Sequence, residues 1–240
     1  MTNERYIKWH SSHLNMDIEM LVYGYKGMPL LIFPTSMGRF YEAKDFRLIH
    51  SIDWFLREGF FKVYCIDGID RYSWYNRSIH PADRVKNHIW YDLMVYRELV
   101  PWAMHETGFG KVAVAGCSFG GYHAVNFGLK HPDSTKYILS MSGAFNIKGR
   151  LDGYYDDNVY FNNPPDFLPN AWDDHFRDLF VFLGAGEWDI CLGDNYEMAD
   201  LLGRRGIRNW LDIRPREVHD WPLWRMIFPH YLSMIVNSQV

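Results

Sequence analysis

Residues 112–131 constrain this chain more than any other stretch. Val112-Ala113-Val114-Ala115 is a continuous small apolar run, suited to a strand buried on both faces. It runs into Gly116-Cys117-Ser118-Phe119-Gly120-Gly121, and an apolar segment with helical spacing follows. A strand that meets a helix through so short a turn holds its middle residue in a strained backbone conformation. Small residues two before and two after it let strand and helix approach without clash. The pattern predicts a strand over 111–116 and a helix over 119–131. By composition a chance G-x-S-x-G in such a chain is on the order of one in ten, so the weight rests on the flanking strand and helix.

The rest of the chain alternates short apolar runs with amphipathic stretches. Segments 5–13 and 17–25 read as two antiparallel strands, and Gly27 breaks the second. Leu30-Leu31-Ile32-Phe33 is a buried strand stopped by Pro34, a helix follows within 43–58, and 61–66 is the next strand. Segment 67–80 has no periodicity and reads as a loop. Pro81 opens a helix at a position where its missing N–H costs nothing. Val85, Ile89, Leu93, Tyr96 and Val100 form an apolar stripe on it, and Pro101 is expected to kink or end it. Further strands are expected at 137–142, 179–184 and 210–213, with helices at 196–204 and 221–236. The predicted fold is α/β, one domain over 1–240. It has a mostly parallel, doubly wound sheet of about eight strands, helices on both faces and one antiparallel edge. Segment 143–178 is long, polar and rich in Asp, Asn, Pro and Tyr, the pattern of a lid or binding loop.

Composition narrows the function classes. Hydrophobic residues make up 48% of the chain, which suits a packed core and argues against disorder. Ten Trp, sixteen Tyr and sixteen Phe point to an aromatic-lined pocket or an apolar homo-oligomer interface. The formal net charge is -4 with no basic run, so neither nucleic acid nor an anionic membrane is the expected partner. Cys65, Cys117 and Cys191 are odd in number and match no zinc spacing, so reduced, buried thiols are expected and no metal. Met1-Thr2-Asn3-Glu4-Arg5 does not open a basic-then-apolar leader, and no apolar run approaches the ~20 residues that cross a bilayer. A cytoplasmic protein is the expectation.

Ser118 sits where a nucleophile is displayed, and a helix N-terminus behind it favours negative charge. A serine nucleophile needs a base. Of eleven histidines, His219 stands in His219-Asp220-Trp221, after the last strand and before the last helix. That is the carboxyl end of the sheet, where sites of open α/β folds gather. His10 and His13 fall on an edge strand, and His88 and His105 on or near a surface helix. His123 lies just past the turn, and His80 lies in the 67–80 loop. The base needs an orienting carboxylate, and Leu183-Gly184-Ala185-Gly186-Glu187-Trp188-Asp189 follows the preceding strand. Asp189 is favoured, with Glu187 second and Asp194 third. Gly184-x-Gly186 lacks the third glycine and helix start of a nucleotide loop. Two backbone N–H groups should meet an oxyanion, that of Phe119 and one from Pro34-Thr35-Ser36-Met37-Gly38. Ser36 is favoured there over Thr35 and Met37. Tyr72, Trp74, Tyr75, Tyr154 and Tyr155 are candidates for lining a substrate pocket.

These residues resemble the esterase D-like esterases of the α/β-hydrolase superfamily, a group with enterochelin-esterase-like and mycolyltransferase-like members. The resemblance spans most of the chain. It rests on Gly116-Cys117-Ser118-Phe119-Gly120-Gly121, Gly186-Glu187-Trp188-Asp189 and His219-Asp220-Trp221-Pro222-Leu223-Trp224. It implies a Ser118, Asp189, His219 triad without metal or cofactor, acting on the acyl bond of a small ester. It also implies that segment 160–169 borders the pocket. Many members carry His-Gly where this chain has Pro34-Thr35. Two other readings share the residues: an acyltransferase with a sugar, alcohol or thiol acceptor, and a non-catalytic binding module.

Overall fold

The computed structural model describes residues 3–238, so Met1 and Thr2 of the expected leaderless N-terminus lie outside the described residues. Eight strands form one sheet: β1 Glu4–Ser11, β2 Met16–Tyr23, β3 Met28–Phe33, β4 Phe61–Ile66, β5 Val112–Cys117, β6 Thr135–Met141, β7 Phe180–Gly186 and β8 Arg208–Arg214. Their order is β1-β2-β4-β3-β5-β6-β7-β8. β1 and β2 are an antiparallel hairpin, and β2 joins β4 antiparallel. Every pairing from β4 to β8 is parallel. The predicted mixed sheet with an antiparallel edge is the observed one. β3, β4 and β5 are buried along their whole length, as their unbroken apolar runs require.

Helices cover both faces. One face carries α1 Pro81–Met94, α2 Val100–Thr107, α3 Phe119–Lys130 and α4 Leu192–Arg204. The other carries α5 Trp221–Asn237 and short turns within residues 42–57. Those turns replace the single helix expected within 43–58. Arg47 adopts a left-handed conformation with φ 63°, which breaks the helical run. None of the described helices is long and apolar enough to cross a membrane.

Pro101 does not end its helix. A π-helical turn at Val95–Leu99 joins α1 to α2, and Pro101 sits in the first turn of α2. The wider turn accommodates a ring that would clash with the carbonyl four residues back. The same turn presents Glu98, whose carboxylate accepts from Trp9 Nε1, Ser11 and Ser12 Oγ, and His13 N–H and Nδ1, anchoring the β1–β2 turn. The apolar stripe is also rotated. Val85 and Val100 are buried as expected, but Ile89, Leu93 and Tyr96 are only half-buried. His88, Tyr91 and Asp92 point inward instead. They can do so because polar partners meet them: Tyr91 donates to Asp67 O, and Asp92 pairs with His131 and Lys130.

Candidate active site

Five neighbouring strands, β3, β5, β6, β7 and β8, end side by side, and the loops after them meet. Phe33 lies opposite Gly116, Cys117 opposite Met141, Met141 opposite Gly184, and Gly186 opposite Arg214. The β3 loop (34–38), Ser118, Ser142, Asp189 and the 215–220 segment therefore share one rim of the sheet.

Ser118 occupies the turn between β5 and α3 with φ 54° and ψ -121°, a region that side chains with a Cβ rarely adopt. Its N–H is held by Met141 O at 2.8 Å. The flanking glycines are steric requirements. A Cβ on Gly116 would overlap the Gly120 backbone, and one on Gly120 would overlap the carbonyl oxygens of Phe33 and Pro34. So β3, β5 and α3 close on each other only through glycine, and Ser118 is left facing outward at the N-terminus of α3.

His219 Nε2 lies 2.9 Å from Ser118 Oγ, and His219 Nδ1 lies 2.8 Å from Asp189 Oδ1. Trp188 N–H donates to Glu217 O at 3.0 Å, tying the Asp189 loop to the segment that carries His219. Asp189 is buried, and its carboxylate is fully used. Oδ1 also accepts from Cys191 N–H at 2.7 Å, and Oδ2 accepts from Ser142 Oγ. Burial alone would raise the Asp189 carboxyl. The hydrogen bonds from His219, Ser142 and Cys191 outweigh it and hold the carboxyl below its usual value. The other two acids are occupied elsewhere: Glu187 accepts from Arg216 N–H, and Asp194 from Phe145 N–H.

Ser142 and Trp224 belong to this constellation; nothing in the sequence signals Ser142, and Trp224 stands there only as the end of the His219 motif, with no role of its own. Ser142 has φ 56° and no exposed surface. Its Oγ accepts from Trp224 Nε1 at 2.8 Å while donating to Asp189. The Trp224 ring meets His219 edge-on at 5.2 Å. One side chain thus packs the imidazole and, through Ser142, fixes its carboxylate.

The loop after β3 is held by two carboxylates. Glu42 accepts from Thr35 N–H at 2.8 Å and Thr35 Oγ1 at 2.7 Å, and Asp70 accepts from Met37 N–H at 3.1 Å. Among the described residues the N–H of Ser36 has no hydrogen-bond partner, unlike those of Thr35 and Met37. Asp70 also meets His123 Nε2 at 3.0 Å, so α3 and this loop are braced by one buried pair. Tyr75 donates to Ser36 Oγ at 2.6 Å and packs edge-on against Phe119.

The remaining pocket candidates separate. Trp74 is 1% exposed and packs on His88 and Tyr122, so the structure makes it a support beneath the loop and corrects its assignment as pocket lining. Tyr72 is exposed, with Arg71 over its ring. Tyr154 bonds Asp156 and meets His80 edge-on, while Tyr155 bonds Asp166. His80 caps α1 by accepting from Ala82 N–H. His88 is a buried histidine, not a surface one. Among the described residues, one group of donors is close enough to hold a metal ion. It is Asp189, Cys191 and His219, within 4.8 Å of one another. There Asp189 and His219 already bond each other, and burial pushes the Cys191 thiol up to about 12, which keeps it protonated.

A serine hydroxyl bonded to an imidazole whose far nitrogen meets a buried carboxylate can lose its proton to the ring as it attacks an electrophile. Comparisons with known proteins agree with that chemistry. The Esterase family model, described as "Putative esterase", matches residues 48–232. No curated protein sequence matched the chain. A ferulic acid esterase structure superposes with TM-score 0.79 at 18% identity, covering 99% of each chain. S-formylglutathione hydrolase FrmB from Staphylococcus aureus gives 0.75 at 15% identity, over 99% of this chain and 100% of that one. FphF, a fluorophosphonate-binding serine hydrolase of the same organism, gives 0.76 at 16%, over 98% and 99%. At such identities these three speak for a shared fold, and the family assignment rests on the model match. The chain belongs to the Esterase family and is an ester-hydrolysing enzyme built on the α/β-hydrolase fold.

Proposed function

We propose that Ser118, His219 and Asp189 form the catalytic triad of this esterase, and that the amides of Phe119 and Ser36 form its oxyanion hole. The observation that carries this reading is the unbroken line of hydrogen bonds from Ser118 Oγ through His219 to Asp189. His219 Nε2 takes the Ser118 proton as Oγ attacks the ester carbonyl carbon. Asp189 holds the imidazole in the Nδ1–H tautomer and stabilises its cation. The carbonyl oxygen becomes an anion, met by the Phe119 and Ser36 N–H groups and the N-terminus of α3. Each such donor lowers the barrier by about 3–4 kcal/mol. His219 then protonates the leaving alcohol, and Ser118 is left acylated. Water, deprotonated by His219, attacks the acyl carbon, and Ser118 departs with the returned proton.

The substrate in this reading is a small-molecule ester, and 1–240 is one catalytic domain. Segment 143–178 acts as a lid-like border, supported by its contacts: Phe145 N–H on Asp194 and Arg150 over the Phe119 ring. Tyr75 is the aromatic candidate best placed to touch substrate. A cytoplasmic setting is supported by the three buried, unpaired thiols, Cys65, Cys117 and Cys191. Self-association is the second partner proposal, carried by the exposed Trp54 and Phe60, whose rings pack together, and sedimentation velocity tests it.

Turnover of p-nitrophenyl acetate tests the triad. Ser118→Ala and His219→Ala should each lose nearly all activity while remaining folded. A Ser118→Ala enzyme that turns over at the native rate would overturn the assignment. Product analysis with added sugars, alcohols and thiols should give free acid; a new ester or thioester would favour transfer to a non-water acceptor.

A further inference from the structure

We propose that the Arg150 guanidinium is a subsite for an anionic group, carboxylate or phosphate, carried by the ester that Ser118 attacks. The inference rests on the triad reading above and extends it to substrate class.

The guanidinium carbon lies 4.2 Å from the Tyr75 ring centroid and 4.4 Å from that of Phe119. Phe119 directly follows Ser118, and Tyr75 bonds the Ser36 side chain. The cation therefore sits over the two rings that flank both proposed oxyanion donors. Its main chain is fixed, with Arg150 N–H on Ile147 O and Arg150 O accepting from Arg84 Nη1 at 2.8 Å. Its charge also reaches the Cys191 thiol, where it opposes the larger effect of burial.

Arg150 is half-buried, and among the described residues no carboxylate lies within ion-pair distance of it. The acids nearby in the insert are already paired: Asp152 with Arg84 and Asp166 with Lys148, each at 2.9 Å. Among the described residues no hydrogen bond engages its guanidinium N–H groups. The two rings, nearly perpendicular to each other, place the group by cation–π contact and leave its N–H donors unspent. A planar fork of donors, pre-oriented beside a nucleophile, matches a carboxylate or phosphate bidentately. The chain as a whole carries a formal charge of -4, so a local cation is what would bring an anionic ester to this rim.

Matched esters test this in low-salt buffer. p-Nitrophenyl hemiglutarate against p-nitrophenyl valerate places the charge on the acyl side. 4-Acetoxybenzoate and 4-acetoxyphenyl phosphate against 4-acetoxyanisole place it on the alcohol side and separate carboxylate from phosphate. For at least one pair, the wild-type enzyme should prefer the anionic ester by tenfold or more in kcat/KM. Arg150→Gln should cut that preference by about 10- to 100-fold, Arg150→Lys should restore part of it, and salt should weaken it. A ratio near one for every pair, or a ratio unmoved by Arg150→Gln, would overturn the subsite and leave the triad reading intact. If no ester of either kind is turned over, both fall.

Discussion

Replacing Ser142 by Ala tests how the Asp189 carboxylate is held. The substitution removes a hydroxyl that accepts from Trp224 Nε1 and donates to Asp189 Oδ2, in a position with no exposed surface. Ala keeps the same backbone burden at φ 56°, so the change isolates the hydroxyl. The gap left is smaller than the ~30 Å³ a water occupies, so solvent does not restore the link. Two buried polar groups lose their partner, at about 1–3 kcal/mol each, for a total of about 2–6 kcal/mol. At about 2–4 °C per kcal/mol for a domain of this size, Tm should fall by roughly 4–24 °C. The loss depends on pH. The wild-type carboxyl is held below its usual value, so its contribution is present above the unfolded value and is lost as pH falls through the folded one. The gap between wild type and Ser142→Ala should therefore be full at pH 7 and narrow below about pH 4. Thermal melts from pH 7 to pH 3 read both effects, and kcat/KM at neutral pH should fall in parallel. A Ser142→Ala protein that melts within a degree or two of wild type at pH 7 would refute the reasoning.

Three further outcomes are expected. Asp70→Ala removes the acceptor of Met37 N–H and the partner of His123, so the loop carrying Ser36 loosens. Steady-state kinetics should show kcat down about 10- to 100-fold, with KM changed far less. Gly120→Ala drives a Cβ into the Phe33 and Pro34 carbonyl oxygens, backbone against backbone, and chemical denaturation should show a loss of about 3 kcal/mol or more. Glu98→Ala should cost about 2 kcal/mol at pH 7 without loss of kcat, since it unfastens the β1–β2 turn far from Ser118. Burial would raise the Glu98 carboxyl, but bonds from His13, Trp9 and Ser11 bring it down to about 2. Its contribution should therefore fade as acid approaches that value.

The parts of the site that were legible in the sequence are those written locally. Ser118 is announced by glycines that strand-to-helix packing demands, and Asp189 and His219 by their places just after strands. Ser36 stood out only as one of three neighbours, and what separates it from Thr35 and Met37 is carboxylates 7 and 33 residues away. No local pattern encodes such partners. Ser142 directly follows a strand with no motif around it, and its role depends on Trp224, 82 residues on. Trp74 misled because an aromatic in a polar loop reads the same whether it faces a pocket or the core. Pro101 and the rotated α1 stripe misled for a related reason: a π turn and buried polar pairs at Asp92 override simple periodicity.

The central claim is that the Ser118 hydroxyl is the activated nucleophile. Incubation with an active-site fluorophosphonate followed by peptide mass mapping addresses it directly. The account predicts one adduct, on the peptide containing Ser118, absent from Ser118→Ala and strongly slowed in His219→Ala. Stoichiometric labelling at another residue, or equal labelling of the Ser118→Ala protein, would contradict it.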